Sequence, residues 1–289
     1  MILSGKDLAT KLKAEMAEQV KTFPDTYGRV PHLVVILVGD DLASATYVRN
    51  KAKASEAVGI KNTTVYLPAE TSEQELLAQI DKLNNDDSVD GILVQLPVPK
   101  HISELNVISA IAKEKDVDGF HPLNVASLWR RQTKGANVQD FVIPCTPKGV
   151  IRMLKAAGVA IDGKKAVVVG RSNIVGLPVA KLLLNENATV TICHSHTKNL
   201  ASFTRSADIL VSAIGKSNFI TGDMVSEGAV VIDVGINRNP SGKGICGDVD
   251  FASVEGKASV ITPVPGGVGP MTICELMSNT IECFLRKQK

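Results

Sequence analysis

The chain has 289 residues, of which 44% are hydrophobic and 21% are charged. These values are ordinary for globular proteins, and they exclude long disorder, a collagen helix and a coiled coil. The 32 basic and 30 acidic residues leave a net charge of +2 without a basic block, so we expect no binding to nucleic acid through bulk charge. At roughly 150 residues per domain, the length predicts two domains.

The cysteines and the apolar runs indicate the compartment. The 5 cysteines are widely spaced and form no C-x-x-C motif, which favours a reducing compartment over a disulfide scaffold. Apolar runs such as residues 33–38 are too short to span a membrane, and no apolar signal-peptide region follows Met1. We therefore expect a cytoplasmic protein that does not enter a membrane.

The first half of the chain alternates between strand and helix patterns. Leu8, Leu12, Met16 and Val20 recur every four residues and predict an amphipathic opening helix. The alternation that follows predicts a buried strand at 33–38, a helix at about 43–58, a strand near 63–67, a helix after a Ser72/Glu75 capping box, and a strand at 91–94. This order is typical of a parallel, doubly wound sheet.

Residues 116–144 break this rhythm, and we predict the crossover between domains there. Pro147 marks the start of a new helix. The later elements are expected at 165–169 (strand), 176–184 (helix), 189–193, 209–212 and 229–234 (strands) and about 271–285 (helix). The fold class is therefore α/β with two domains: residues 1–143 plus 271–289, with the last helix packing back on the first domain, and residues 144–270.

A glycine-containing loop follows the strand at 165–169. Gly170 and Gly176 enclose Arg171, Ser172, Asn173, Ile174 and Val175, and a helix follows. A strand, a glycine turn and a helix N-terminus can bind the pyrophosphate of a dinucleotide, because unpaired N–H groups point at it. However, Ser172 stands where G-x-G-x-x-G has its second glycine. The pair also fits a tight turn that needs glycine only for its backbone angles.

The end of the next strand bears on the choice of cofactor. NAD sites usually place an acidic residue about 20 residues after the loop, whereas this chain has His194-Ser195-His196. Without that carboxylate, a 2′-phosphate is not repelled, and Arg171 and Ser195 offer it a cation and a hydroxyl. This favours NADP over NAD. His194 and His196 share one face if the strand continues, but no third ligand lies nearby, so no metal site is predicted.

Several polar residues of the first domain are candidates for chemistry. Tyr47 and Lys51 lie on one face of a predicted helix, where they fit acid–base work or a solvated surface shared with Arg49 and Lys53. Gln95 follows a buried strand, where it fits either a site or a contact with loop backbone.

Two further segments also have two interpretations. Asp116 and Asp118 each offer an acceptor for an amino-pyrimidine, or one of them forms an Asx turn before Gly119. Residues 262–272 combine three glycines and three prolines within nine positions, which suits a loop against a flat ligand and also suits a hinge.

Five phrases, at residues 47–51, 94–97, 115–120, 170–176 and 262–272, occur in one order along the chain. Together they resemble the bifunctional methylenetetrahydrofolate dehydrogenase/methenyltetrahydrofolate cyclohydrolase family over essentially the whole sequence. The resemblance implies a catalytic α/β domain, a Rossmann-like NADP-binding domain with a parallel sheet, and an active-site cleft between them. It also implies a homodimer formed through the cofactor domain. The expected reactions are oxidation of 5,10-methylenetetrahydrofolate with NADP⁺ and hydrolysis of the methenyl product to 10-formyltetrahydrofolate, within one-carbon folate metabolism.

The same resemblance assigns roles to residues. Lys51 would be the main acid–base residue, Gln95 its hydrogen-bonding partner, Tyr47 a residue that orients the folate, and Asp118 an acceptor for the pterin. The residues that would contact the cofactor are Gly170, Arg171, Ser172, Ile174, Val175, Gly176, Ser195 and Ile236. Those that would bind the tetrahydrofolate substrate are Tyr47, Val94, Gln95, Leu96, Asp118, Pro263, Pro265, Gly266 and Gly267.

His196 departs from the Lys or Arg that many family members carry at this place, which predicts a softer or pH-dependent preference for NADP.

Two other functions stay open at this point. A dehydrogenase without cyclohydrolase activity does not need Lys51. A non-catalytic NADP-binding sensor needs the cofactor loop but not Tyr47, Lys51, Gln95 and Asp118 together.

Overall fold

The computed structural model describes residues 1–130, 141–240 and 242–288. The chain divides into two units. One comprises Thr10–Cys145 and Ile273–Lys289, and the other comprises Met1–Ala9 and Thr146–Thr272. Over the described residues, the first unit contains a three-stranded parallel sheet and the second a five-stranded parallel sheet, and we name the units accordingly. The predicted α/β fold class is confirmed.

The three-stranded unit is built around one central strand. Its strands and helices, in chain order, are α1 (Gly5–Lys21, which begins in the other unit), α2 (Phe23–Tyr27), β1 (His32–Val38), α3 (Leu42–Val58), β2 (Lys61–Leu67), α4 (Glu73–Asn84), β3 (Gly91–Val94), α5 (Glu104–Ala110) and α6 (Pro122–Trp129). The strand order is β2-β1-β3. All residues of β1 are buried, because alternate side chains enter two hydrophobic clusters, one containing Leu33 and Val35 and the other Val34 and Ile36.

The five-stranded unit repeats the strand–helix alternation. Its elements are α7 (Cys145–Ala156), β4 (Lys165–Val169), α8 (Gly176–Asn185), β5 (Thr189–Cys193), α9 (Leu200–Thr204), β6 (Ile209–Ser212), β7 (Val230–Asp233), β8 (Asn237–Arg238), β9 (Ile245–Cys246), α10 (Phe251–Val254), β10 (Val260–Ile261) and α11 (Val268–Arg286, most of which belongs to the other unit). The order β10-β7-β6-β4-β5 places β6 in the middle of the sheet, with β4 beside it. Their carboxyl ends therefore meet at one edge, where sites on parallel sheets form.

The amino terminus belongs to the five-stranded unit, whereas the sequence-based division assigned it to the first domain. The N–H of Leu3 donates to the carbonyl of Ile261 at 2.8 Å, and the N–H of Ile261 donates to that of Met1 at 3.0 Å. Ile2 thereby extends the sheet beside β10 through an isolated parallel bridge. This pairing joins residues far apart in the sequence, so local patterns do not reveal it.

The long predicted elements are confirmed, and several short ones were missed. The Ser72/Glu75 capping box forms, with both of its hydrogen bonds present. The predicted crossover at 116–144 contains α6, which the weak periodicity of eight residues did not indicate. Residues 131–140 of that segment lie outside the described part of the chain.

Candidate active site

Lys51 and Gln95 form a hydrogen-bonded pair in the three-stranded unit. The Nζ of Lys51 donates to the Oε1 of Gln95 at 2.9 Å, and the Nε2 of Gln95 donates to the carbonyl of Leu96 at 2.6 Å. Lys51 is only 9% exposed, whereas Arg49 and Lys53 on the same helix are exposed. Lys51 is therefore not part of a solvated helix surface, and Gln95 contacts both the loop backbone and the ammonium.

Local structure places this pair. The N-terminus of α3 is capped by the Asp41 side chain, which accepts from the N–H of Ser44 at 2.7 Å. Gln95 continues the β-ladder, because its N–H donates to the carbonyl of Ile36 at 2.8 Å. Tyr47 lies one helical turn before Lys51 and is 43% exposed.

The two acids around Val117 have different surroundings. The carboxylate of Asp116 accepts from the N–H of Gly119 at 3.1 Å and of His121 at 2.8 Å, and from Asn124 Nδ2 at 2.8 Å. Asp116 thus forms the Asx turn, and its acceptors face the protein itself. Asp118 remains as the acid available to a ligand.

The positive charge of Lys51 acts on the carboxyl of Asp118. Burial raises the pKa of Asp118, while the ammonium of Lys51 and a contact from Cys145 Sγ at 3.8 Å to Oδ1 act in the opposite direction. A hydrogen-bonded ammonium and an acceptor carboxyl within each other's field can exchange protons with a substrate and hold an amino-pyrimidine.

Two positioning residues of this region were missed from the sequence. Asn279 on α11 donates through Nδ2 to the carbonyls of Val117 at 2.8 Å and Ile143 at 2.9 Å, and the thiol of Cys145 donates to the carbonyl of Val117 at 3.3 Å. The available signal was an asparagine among the apolar residues of the last helix, since a buried amide needs partners.

The loop after β4 is a tightly closed turn in the five-stranded unit. Gly170 has φ +131°, and a Cβ there would overlap the carbonyl oxygen of Ala213, while a Cβ at Gly176 would overlap that of Gly170. The Oγ of Ser172 accepts from the N–H groups of Val175 at 3.2 Å and Gly176 at 3.1 Å. Both positions therefore require glycine because the backbone approaches them too closely for a side chain. The residues of the turn that are exposed to a ligand are 171–174.

The predicted common face of His194 and His196 required β5 to continue through them. The strand ends at Cys193, so the two histidines do not share a strand face. The Nδ1 of His194 accepts from the N–H of His196 at 3.2 Å, and Ser195 and His196 are exposed in the turn. The described residues contain no cluster of three or more His, Cys, Asp or Glu side chains placed to hold a metal ion. An exposed serine and a turn without a carboxylate fit a phosphorylated ribose, as predicted for NADP.

The remaining predicted residues lie on two loops of the five-stranded unit and beside Gln95 in the three-stranded unit. The N–H of Lys6 donates to the carbonyl of Gly266 at 2.9 Å, and a Cβ on Gly5 would overlap the carbonyl of Gly267, so the amino terminus supports the loop at 262–267. Ile236 is 48% exposed and follows Gly235, three residues after the end of β7. Val94 and Leu96 flank Gln95 in the other unit, Val94 being buried and Leu96 partly buried.

Comparisons with known proteins identify the family. Residues 3–118 match the tetrahydrofolate dehydrogenase/cyclohydrolase catalytic domain, and residues 144–288 match the NAD(P)-binding domain of the same family. The chain belongs to the tetrahydrofolate dehydrogenase/cyclohydrolase family. The family resemblance drawn from the five phrases is thereby confirmed.

Individual members of this family match along nearly the whole chain. The bifunctional protein FolD of Francisella philomiragia is 56% identical over 282 residues, covering 98% of this chain and 97% of that protein. The structure of the bifunctional methylenetetrahydrofolate dehydrogenase/cyclohydrolase from Campylobacter jejuni has a TM-score of 0.93 and 50% identity, with 99% of each chain covered. The Trypanosoma brucei enzyme, solved with NADP and an inhibitor, has a TM-score of 0.94 and 41% identity, with 100% of this chain and 98% of that chain covered. Among the described helices, none has the length and apolar character needed to cross a bilayer.

Proposed function

We propose that this protein oxidises 5,10-methylenetetrahydrofolate with NADP⁺ and then hydrolyses the methenyl product to 10-formyltetrahydrofolate. The observation that carries the second activity is the hydrogen bond from the buried Lys51 to Gln95, with Asp118 in the field of the ammonium. Dehydrogenation alone needs no proton-transfer residue in this position. Membership of the family supports both activities.

The cofactor is assigned to the five-stranded unit. The residues that would hold NADP⁺ are Gly170, Arg171, Ser172, Ile174, Val175, Gly176, Ser195 and Ile236. The tight turn at Gly170 and the absence of a carboxylate after β5 support this assignment. The chemistry supplied by bound NADP⁺ is acceptance of a hydride from the methylene carbon, for which the protein contributes alignment.

The folate is assigned to Tyr47, Asp118 and the segments that contain Val94, Leu96 and residues 263–267. The ring of Tyr47 would lie against the folate, and the carboxyl of Asp118 would accept N–H groups of its pterin. The half-exposed ring and the partly buried acid support these roles, because a ligand can reach both.

Lys51 is proposed to move the protons of the hydrolysis. Addition of water to the cationic methenyl carbon releases one proton. Breakage of the bond from that carbon to N5 then moves the remaining hydroxyl proton to N5 and leaves the formyl group on N10. In its neutral form the amine of Lys51 would accept a proton, and the resulting ammonium would then donate one to N5, while Gln95 would orient Nζ by accepting one of its N–H groups.

A two-product assay tests the function. The protein is mixed with 5,10-methylenetetrahydrofolate and NADP⁺, and NADPH and the methenyl compound are quantified separately over time. We expect NADPH with little accumulation of the methenyl compound, together with faster hydrolysis of added methenyl compound than in buffer. Accumulation of methenyl compound equal to NADPH would leave a dehydrogenase only. Binding of NADP⁺ without either product would indicate a sensor.

We further propose a homodimer formed through the five-stranded unit. β5 is the edge strand of the described sheet, and α8 packs beside it with Leu184 half exposed at its end. An unpaired strand edge can pair with a second copy, and Leu184 lies beside that edge. Sedimentation of the wild type should give twice the chain mass, and Leu184→Glu should shift it toward the monomer. A monomeric wild type would contradict the proposal.

A further inference from the structure

Two buried carboxylates lie near the loops assigned to the cofactor and have no role in the chemistry proposed above. Asp233 is the last residue of β7 and is 3% exposed, and Asp248 follows β9 and is 0% exposed. They are adjacent, since the Oδ1 of Asp233 accepts from the N–H of Asp248 at 3.0 Å. Two neighbouring buried acids are an unfavourable means of stabilising a fold, because each loses hydration and they repel each other.

Asp248 holds the loop after β6. The N–H groups of three consecutive residues donate to its carboxylate: Ile214 at 2.7 Å, Gly215 at 3.2 Å and Lys216 at 2.9 Å. Convergent backbone N–H groups of this kind form an anion-binding concavity, which here is filled by a side chain. The preceding residue, Ala213, carries the carbonyl against which Gly170 closes, so Asp248 also fixes one wall of the turn after β4.

The same two carboxylates hold the segment around Ile236. Asp233 accepts from the N–H of Gly235 at 2.9 Å, and Asp248 accepts from the Nδ2 of Asn237 at 2.9 Å. Ile236 thus stands between two anchored neighbours with its own side chain half exposed. Asp233 also accepts from the N–H of Val249 at 2.9 Å, which joins this segment to the residues after β9 that include Asp248.

Glycines make room for this arrangement. A Cβ on Gly235 would overlap Oδ1 of Asp248, and a Cβ on Gly247 would overlap Oδ2 of Asp233. Neither glycine has a positive φ, so their backbones do not require glycine. The requirement comes from the carboxylates, which must approach the backbone closely enough to accept its N–H groups.

We propose that Asp233 and Asp248 are positioning residues for the dinucleotide, which act by fixing the loops at 213–216 and 235–237 against which it binds. The inference rests on the proposed binding of NADP⁺ by this unit. Neither carboxylate touches the cofactor in this role. Burial raises the pKa of Asp233 to about 6, as expected for an acid kept beside a second carboxylate for its geometry.

Asp248→Asn tests this role with little change in shape. The amide Nδ2 cannot accept from the N–H groups that face it, so part of the loop anchor is lost. In the cofactor-free variant, we expect amide hydrogen exchange at Ile214, Gly215 and Lys216 to accelerate by about 10-fold or more. The Kd for NADP⁺, measured by calorimetry, should rise by about 10-fold or more. Hydrolysis of the methenyl compound without NADP⁺ should stay within about twofold of the wild type.

The matched control is Asp250→Asn, the same change two residues later, at a partly exposed position without a side-chain cap hydrogen bond. It should leave exchange and affinity unchanged. If Asp248→Asn does not fold, Gly235→Ala provides the second test, because its Cβ displaces the Asp248 carboxylate. Faster exchange with wild-type affinity would overturn the proposal, and so would an equal loss of NADP⁺ binding and hydrolysis. Wild-type protein that fails to bind NADP⁺ would instead refute the proposed function.

Discussion

In the three-stranded unit, the candidate site consists of side chains that can hold and transfer a proton, whereas in the five-stranded unit it consists mainly of backbone. Lys51 donates to Gln95, and its charge acts on Asp118. In the other unit, the acids Asp233 and Asp248 direct their oxygens at N–H groups of the protein. Both units are parallel α/β structures, so the fold class does not account for the difference.

The two proposed reactions account for it. Hydride transfer between two bound rings requires alignment, which a rigid backbone turn supplies without titration. Hydration of a cationic carbon and opening of a ring require a group that accepts and returns protons. Substitution of the proton-transfer group should therefore affect hydrolysis and spare dehydrogenation, and substitution in the cofactor turn should affect NADP⁺ binding and spare hydrolysis.

The largest effect is expected for Lys51→Met. Loss of the amine removes the proposed acid–base group, so hydrolysis of the methenyl compound should fall by about 100-fold or more. NADPH formation from 5,10-methylenetetrahydrofolate should continue, with the methenyl compound accumulating. Lys53→Met, on the same helix and exposed, is the control and should keep both activities. Equal losses of both activities in Lys51→Met would contradict the assigned role.

Gly170→Ala should weaken the binding of NADP⁺ to the five-stranded unit. The new Cβ meets the carbonyl of Ala213 at a backbone φ of +131°, so the turn must shift. We expect the Kd for NADP⁺ to rise by about 10- to 100-fold, with hydrolysis retained. The control for backbone strain alone is Gly163→Ala. Gly163 also has a positive φ, of +71°, but a Cβ added there has no atom within 4 Å. Equal effects of the two variants on affinity would refute a specific role for the turn.

Asp118→Asn and Asp116→Asn should separate ligand binding from folding. Asp118→Asn removes an acceptor for the pterin, which should raise the KM for the folate by about 10-fold. Asp116→Asn weakens the Asx turn, so it should lower the melting temperature and leave the KM for the folate nearly unchanged. Steady-state kinetics and thermal unfolding of both variants provide the comparison. The reverse pattern would show that the roles are exchanged.

A stability measurement tests the burial of Asp233. Its pKa of about 6 in the folded protein lies above the value of an unfolded aspartate, so the proton binds the folded state more tightly. The unfolding free energy of the wild type, relative to Asp233→Asn, should fall by up to about 3 kcal/mol as the pH rises from about 4 to about 6, and stay constant above. Urea denaturation of both proteins measures this difference. A difference that rises over this range would mean that the N–H donors outweigh burial.

The smallest effect concerns His196. An imidazole side chain, unlike that of lysine or arginine, is positively charged only when it is protonated. The preference for NADP⁺ over NAD⁺ should therefore increase at mildly acidic pH, by less than about fivefold for an exposed charge pair. His196→Gln should remove the pH dependence that exceeds that of the 2′-phosphate itself. An unchanged ratio of the two affinities between mildly acidic and mildly alkaline pH would contradict the hypothesis.

Long periodic elements were predictable, and short or distant contacts were not. The apolar run at 33–38 is buried because helices cover both faces of β1, which continuous hydrophobicity indicates directly. The eight-residue α6 has too few turns for a clear period, and its start is set by the His121 side chain and Pro122. The candidate site shows the same contrast. Its residues were recognisable in local sequence phrases, whereas the contacts from Asn279 on the last helix were not.

From the sequence by itself, one can determine that this is a two-domain α/β protein, place its buried strands, and recognise the phrases that carry its family. Those features depend on local composition and periodicity, which neighbouring residues set. The hydrogen bond from Lys51 to Gln95, which the family resemblance implied, is present in the structure. Only the tertiary structure decided that the carboxylate of Asp116 is used by an Asx turn while that of Asp118 is not, and that Asp248 holds the loop after β6. Each of these depends on chain closure or on which backbone N–H groups a carboxylate can reach, and neither is encoded in local spacing.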